Sequence, residues 1–185
     1  MNVSEVVSER EFIARIQAIH IELGIGPHVI AARGLQLQPE PKALVSVCIA
    51  AHGGSFELTA AAAHAWLAMN HAAQHDGVSM ALVSAYRSVA VQREIIRTKL
   101  ARGDSIEAIL ASVAPPGYSE HHTGRAIDIG TSEDDALEEV FETTPAYAWL
   151  QAHAHDHGFV MSYPKGNPQG FVYEPWHWCY CQATS

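Results

Sequence analysis

The chain has 185 residues, 48% of them apolar, so it can bury one sizeable core and a single domain is expected. Acidic residues outnumber basic ones by 20 to 11 without any basic run, which argues against a nucleic-acid partner held through its phosphates. Three cysteines are too few, and odd in number, for a disulfide framework, and no stretch is apolar enough to span a bilayer.

The first residues lack the basic start and the apolar stretch of a secretory signal. We therefore expect a cytoplasmic protein, with a periplasmic or exported location, reached by a route without a recognisable signal, as the alternative. The sequence leaves the oligomeric state open.

Residues 1–54 are predicted to flank the core with a helix and short strands. Ser8 and Glu11 have the spacing of a capping box, and apolar residues follow at helical intervals until Gly24, which predicts an amphipathic helix. Val29-Ile30 and residues 43–49 are predicted as short strands, and whether they form a hairpin or a separate lobe stays open.

Helices and short strands are predicted along the rest of the chain. Thr59, Ser88 and the Thr144-Pro145 pair each have the character of a helix start. Alternating or apolar segments predict strands over residues 78–82, 126–130, 159–163 and 171–180, and Pro175 interrupts the last of these. Strands in neighbouring hairpins, with helices packed around them, indicate a single α+β domain on a mostly antiparallel sheet.

The segment from His121 to Asp128 has the character of a metal site. In a strand, Asp128 points to the face opposite Ile127 and Ile129, away from the core. Gly124 permits a tight backbone turn that returns His121 towards the same point. His121 and Asp128 are therefore plausible co-ligands from a loop and the strand that follows it.

The segment Glu174-Pro175-Trp176-His177 adds an imidazole and another carboxylate. On a regular strand Glu174 and His177 would point to opposite faces, but Pro175 marks an edge or a bulge that can turn both side chains into one cleft. Trp176 and Trp178 are expected to form its walls. Two imidazoles, one carboxylate ligand and a second carboxylate are the residue set for zinc-assisted hydrolysis.

Competing signals have ordinary structural explanations. His153 and His157 share a helix face, but a solvated helix end accounts for them. Cys179 and Cys181 could bind a metal as a pair, but alternation along a strand that leads out of the core is the favoured explanation. His122 adjoins a candidate ligand and is expected to point away from the metal.

Three motifs together resemble the zinc D-alanyl-D-alanine carboxypeptidase family of VanY type, whose relatives include LD-carboxypeptidases and D,D-dipeptidases. They are Ser84-Ala85-Tyr86-Arg87-Ser88 with Gln92, then Ser119-x-His121-x-x-Gly124-x-Ala126-x-Asp128, then Gly158-Phe159 with Glu174-Pro175-Trp176-His177-Trp178. The resemblance covers roughly residues 55–180, which predicts a zinc carboxypeptidase core over 55–185 with 1–54 flanking it.

The resemblance implies a hedgehog/DD-peptidase-like fold and a role for each motif residue. His121, Asp128 and His177 would bind Zn2+, and Glu174 would be the catalytic base. Arg87 would be a second catalytic and substrate-binding residue, with Gln92 and Ser119 as further substrate-binding residues. Whether Arg87 binds the oxyanion or the carboxylate of the substrate stays open at this point.

The function implied is that of a zinc metallopeptidase that removes the C-terminal D-amino acid from peptidoglycan-type peptides. Its partner would be a peptidoglycan-derived peptide, with no nucleic acid and no membrane span. The alternatives are an LD-carboxypeptidase or D,D-dipeptidase of the same family, or a zinc-containing binding module that has lost hydrolysis.

Overall fold

The computed structural model describes residues 3–49, 55–132 and 137–181. The helices are α1 (Val3–Leu23), α2 (Pro27–Ala32), α3 (Ala60–His75), α4 (Val89–Ala101), α5 (Ile106–Ser112) and α6 (Pro145–His153). The strands are β1 (Val45–Ile49), β2 (Ser55–Leu58), β3 (Ala81–Ser84), β4 (Ala126–Gly130), β5 (Phe159–Met161) and β6 (His177–Tyr180). Short 3-10 turns lie at Glu120–Thr123, Glu139–Thr143 and Ala154–His157.

The strands form two antiparallel sheets. The larger sheet has the order β3-β4-β6-β5, and β1 pairs with β2 in a separate two-stranded sheet. The predicted α+β class, with one domain and a mostly antiparallel sheet, is confirmed.

The main hydrophobic core lies against one face of the larger sheet. Ile127 and Ile129 of β4 and Trp178 of β6 are fully or almost fully buried there. Apolar residues of α3 and α6, including Trp66 and Leu150, belong to the same cluster. Strand periodicity therefore places Asp128 and His177 on the other face, away from this core.

The N-terminal helices pack beside α4 and α5 around a second apolar cluster, which consists of Leu23, Ile25, Ile96, Ile109 and Leu110. The Arg93 guanidinium also donates two hydrogen bonds to Glu22, at 2.9 and 2.7 Å. The Glu40 carboxylate accepts a hydrogen bond from the backbone N–H of Val89 at 2.9 Å, at the start of α4. The N-terminal segment therefore stabilises the position of α4, the helix that follows Arg87.

Three local predictions differ from the structure. Val29 and Ile30 lie in α2, because Pro27 at the first helical position favours a helix start over a strand. Ser8 lies inside α1, which begins five residues earlier, so the start of that helix is not at Ser8. Residues 171–176 lie outside any strand, because the chain makes a turn at Pro175 before β6 begins.

Among the helices that the structure describes, none combines the length and the apolar character that crossing a membrane requires.

Gly124 ends the turn that presents His121, and its backbone has φ of +63°. A Cβ at this position would lie 2.7 Å from Leu44 Cδ2 and 3.3 Å from the Thr59 backbone nitrogen. Gly77 has a similar φ of +78°, but a Cβ there would meet nothing within 4 Å. Alanine substitutions at the two glycines therefore distinguish the free-energy cost of a left-handed backbone from the cost of crowding.

We expect Gly124→Ala to lower the free energy of unfolding by about 2–4 kcal/mol, because strain and overpacking add. Gly77→Ala should lower it by only about 1–2 kcal/mol, the left-handed strain alone. Urea denaturation of both variants measures the difference, and equal losses would contradict the crowding that the structure places at Gly124.

Burial also makes the stability depend on pH through His122. Burial lowers the pKa of this side chain to about 4, whereas an unfolded histidine titrates near 6.5. Its contribution is therefore complete above about pH 6.5 and decreases as the pH falls towards 4, amounting to a loss of about 2 kcal/mol at pH 5. In metal-free protein, urea denaturation of His122→Gln should show a flatter pH profile over this range. The variant His64→Gln, at an exposed position, is the control.

Candidate metal centre and cleft

The register of the larger sheet aligns three polar residues across its strands. Asp128 of β4 pairs directly with Ser84 of β3 on one side and with His177 of β6 on the other. Residues far apart in the sequence thus become neighbours on one face of the sheet. The turn Glu120–Thr123 precedes β4 and brings His121 to the same place.

Three buried side chains, His121, Asp128 and His177, form the His-Asp-His group. One ligand atom from each lies within 4.8 Å of the others. His121 Nε2 is 3.2 Å from the Asp128 carboxylate, and His177 Nδ1 is 3.0 Å from it. Two imidazole nitrogens and one carboxylate oxygen are a zinc donor set that leaves a fourth position open, so the residues fit this metal.

The second nitrogen of each imidazole already has a partner. His121 Nδ1 is 2.6 Å from the carbonyl oxygen of Ala85, which can only accept, so this nitrogen carries the proton and Nε2 is free to bind the metal. His177 Nε2 is 2.9 Å from the Glu120 carboxylate, which leaves Nδ1 on the side of Asp128. Sequence reasoning missed Glu120, because a glutamate beside a candidate ligand carries no signal of its direction.

The charges in the group are strongly coupled. Burial opposes ionisation of Asp128, but His121 and His177 outweigh it and hold the pKa of its carboxyl far below the usual range. Burial also disfavours the charged form of His177, yet Asp128 and Glu120 outweigh it and raise the pKa of this imidazole. Burial lowers the pKa of His121. A cation bound by these side chains would therefore compete with protons for the same atoms.

Glu174 approaches the group through a turn. The His177 backbone N–H donates to the Glu174 carbonyl at 3.1 Å, which closes the turn around Pro175 and directs both side chains to one side. Glu174 Oε2 lies 4.0 Å from His177 Nδ1. Burial raises the pKa of Glu174 to about 7, so its carboxyl can exchange a proton near neutral pH.

Arg87 faces the His-Asp-His group and is held from two sides. Its guanidinium donates to Gln92 Oε1 and to Ser84 Oγ, each at 3.0 Å, and lies 3.8 Å from Asp128. Gln92 is buried, and its own amide donates to the Ala114 carbonyl at 2.8 Å. Both ends of the Gln92 amide are thus bound within the protein, although the residue borders the cleft.

Ser119 is placed differently from Gln92. It is buried beside the turn and lines the same cleft. Over the described ranges its hydroxyl makes no side-chain hydrogen bond, so it is free to meet a ligand.

The cleft above the His-Asp-His group has a volume of about 350 Å³. Trp176 lines it as expected, but Trp178 lies in the main core and donates its Nε1–H to the Pro175 carbonyl instead. Tyr163 and Phe171 form further walls that the sequence did not reveal, since both follow from the path of the loop between β5 and β6. The Tyr163 ring lies 4.7 Å from that of His177.

The other histidines that could suggest a metal site have ordinary structural contacts. The rings of His153 and His157 lie 4.7 and 6.2 Å from that of Trp149, at the end of α6. His122 points away from the metal group, as expected: its Nδ1 is 2.6 Å from the Arg87 carbonyl, and its Nε2 accepts from Gly117 N–H at 3.1 Å. Within residues 3–49, 55–132 and 137–181, the His-Asp-His group alone has metal-binding geometry.

Comparison with known proteins connects this geometry to a family. The sequence model of the VanY D-alanyl-D-alanine carboxypeptidase family matches residues 55–183. The chain is also similar to YodJ of Bacillus subtilis (strain 168), with 40% identity over 119 residues, covering 63% of this chain and 43% of YodJ. The chain thus spans less than half the length of this relative.

Two solved structures share the fold. The LdcB LD-carboxypeptidase superposes with a TM-score of 0.66 and 34% identity, covering 76% of this chain and 69% of LdcB. The D,D-pentapeptidase VanY from the VanB-type resistance cassette, in complex with Zn(II), has a TM-score of 0.61 and 26% identity, covering 79% of this chain and 86% of that one. Since the family match includes all three motifs and most of the chain, the protein belongs to the VanY family of D-alanyl-D-alanine carboxypeptidases.

Proposed function

We propose that this protein is a zinc metallopeptidase that removes the C-terminal D-amino acid from peptidoglycan-type peptides. The observation that carries the proposal is the His-Asp-His group in a cleft that also presents Glu174 and Arg87. A metal-binding group, a proton acceptor and a cation in one cavity are the parts that peptide hydrolysis requires.

The zinc ligands in this proposal are His121 Nε2, a carboxylate oxygen of Asp128 and His177 Nδ1. Zinc held there supplies a Lewis acid that polarises the peptide carbonyl and lowers the pKa of the attacking water. Asp128 contributes the negative charge that partly balances the cation, and burial of all three side chains limits competing hydration.

Glu174 has the properties of the general base. It borders the cleft and lies close to His177 without belonging to the His-Asp-His group. In the metal-free protein burial raises its pKa to about 7. At this place in the cleft its carboxylate would accept a proton from the attacking water and then donate it to the leaving amine.

Arg87 is best placed to stabilise the oxyanion. Its guanidinium lies 3.8 Å from Asp128, a proposed zinc ligand, so it is beside the position where charge develops. Gln92 holds the guanidinium in place through its Oε1, which makes Gln92 a positioning residue in this proposal. The unpaired hydroxyl of Ser119 is then available for the polar backbone of the peptide.

A second candidate within the same chemistry is an LD-carboxypeptidase, because the structural likeness to LdcB covers 76% of the chain at a TM-score of 0.66. The two activities share every residue named above and differ in the configuration of the residue before the cleaved bond. A D,D-dipeptidase would act on the free dipeptide. The carboxyl of Glu174, close to the His-Asp-His group in the cleft, argues against a binding module without hydrolysis.

The test is a substrate panel with zinc quantified on the same sample. D-Ala-D-Ala, a tetrapeptide ending in L,D linkage and a pentapeptide ending in D-Ala-D-Ala would be incubated with zinc-loaded protein and analysed by mass spectrometry. We expect loss of one C-terminal D-alanine from the pentapeptide. Cleavage of the tetrapeptide alone would establish the LD-carboxypeptidase, and a zinc-loaded protein that cuts nothing would overturn the enzyme assignment.

Replacing the base should separate zinc binding from turnover. We expect Glu174→Gln to retain about one zinc per chain and to lower kcat by roughly 10²–10⁴, because the amide cannot accept the proton. Glu107→Gln, at an exposed position of α5, is the matched control and should leave kcat unchanged. Near-normal turnover by Glu174→Gln would show that another group is the base.

Replacing Arg87 should show, through kcat and KM, which negative charge its guanidinium binds. If Arg87 stabilises the oxyanion, Arg87→Lys should lower kcat by roughly 10²–10³, since the donors move away from the developing charge. KM should change by less than about threefold. The control is Arg97→Lys on the exposed side of α4. A raised KM with unchanged kcat would assign Arg87 to the substrate carboxylate instead.

A further inference from the structure

The proposed ligand His177 has a charged partner on its far side. Its Nε2 lies 2.9 Å from Glu120 Oε2, whereas its Nδ1 faces Asp128. The side chain of His177 is only 3% exposed and that of Glu120 is 25% exposed. Each nitrogen of this one imidazole is thus assigned to a different carboxylate.

Glu120 is itself held in place. Ser162 Oγ donates a hydrogen bond of 2.5 Å to the same Oε2 that contacts His177. Ser162 directly follows β5, and β5 pairs with β6, the strand that begins at His177. The carboxylate is therefore fixed between the Glu120–Thr123 turn and the edge of the sheet.

The two proposed histidine ligands differ in this respect. The second nitrogen of His121 meets a neutral backbone carbonyl, that of Ala85, at 2.6 Å. The second nitrogen of His177 meets a carboxylate, and a charge-assisted bond makes an imidazole a stronger electron donor to a metal. Glu120 does not belong to the His-Asp-His group, so its hydrogen bond would reach a bound metal through His177.

We propose that Glu120 is a positioning residue that fixes the orientation of His177 and strengthens its binding of zinc through the Nε2–H···Oε2 hydrogen bond. Ser162 supports it by restricting the carboxylate to the productive orientation. The inference rests on the proposed zinc ligands, but it does not depend on which peptide is cleaved.

The experiment measures zinc affinity without substrate. Metal-free wild type, Glu120→Ala, Glu120→Gln and Ser162→Ala would be titrated with zinc in competition with a chromophoric chelator. We expect Glu120→Ala to raise the Kd for zinc by about 10- to 100-fold, the range found when a residue hydrogen-bonded to a metal-bound histidine is replaced. Glu120→Gln should fall between wild type and Glu120→Ala, because its amide oxygen still accepts the hydrogen bond but carries no charge. Ser162→Ala should weaken binding less than Glu120→Ala.

A structural role for Glu120 is distinguished by a second readout. Cobalt(II) loaded in place of zinc reports the ligand geometry through its visible absorption, which Glu120→Ala should alter and Glu120→Gln largely preserve. Glu9→Ala, an exposed position on α1, is the control for loss of a carboxylate. Circular dichroism of the metal-free proteins checks that each variant folds.

The proposal fails if Glu120→Ala binds zinc within twofold of wild type with an unchanged cobalt spectrum. If Glu120→Ala does not fold, Glu120→Gln decides, and zinc affinity within twofold of wild type then overturns the role of the charge. Failure of the peptide panel leaves both measurements intact, so an error in the proposed substrate and an error in the role of Glu120 are distinguishable.

Discussion

The site depends on one set of hydrogen bonds that joins the Glu120–Thr123 turn to the segment after β3. The Arg87 backbone N–H donates to the His121 carbonyl at 3.2 Å, while the His121 and His122 rings bind the carbonyls of Ala85 and Arg87, each at 2.6 Å. Because a carbonyl oxygen can only accept, both histidines are fixed in the tautomer with the proton on Nδ1. These hydrogen bonds thus orient His121, a proposed metal ligand. They also hold Arg87, the residue proposed to stabilise the oxyanion, at a fixed position beside it.

The antiparallel sheet separates the tasks of stability and chemistry by its two faces. Along β4, Ile127 and Ile129 belong to the main core, whereas Asp128 between them faces the cleft. In β6, Trp178 packs into that core while its neighbour His177 meets Asp128 across the ladder. Burying so many ionisable groups is unfavourable unless they are paired, and here each proposed ligand contacts another or a fixed hydrogen-bond acceptor.

Local patterns were sufficient for much of the fold and insufficient where tertiary contacts decide. The helix starts at Ser88 and Thr144 were predictable, because each hydroxyl accepts a hydrogen bond from a backbone N–H three residues on, at 3.2 Å. Val29 and Ile30 were wrongly predicted as a strand, because two β-branched residues favour a strand only where a sheet offers them a partner. The sequence predicted an irregularity at Pro175. The direction of the Glu174 side chain, however, depends on the turn that the His177 N–H closes with the Glu174 carbonyl.

The sequence by itself determined the α+β class, the antiparallel sheet and the residue types of a zinc site, because strand periodicity and the three motifs are local properties of the chain. Only the tertiary structure decided that the Gln92 amide bonds to Arg87 and to the Ala114 carbonyl, and that the Glu120 carboxylate contacts His177. The physical reason is that a hydrogen-bond partner 57 residues away is set by strand register and turn geometry. The residue types indicated the chemistry, and the register assigned which atom of each residue meets which partner.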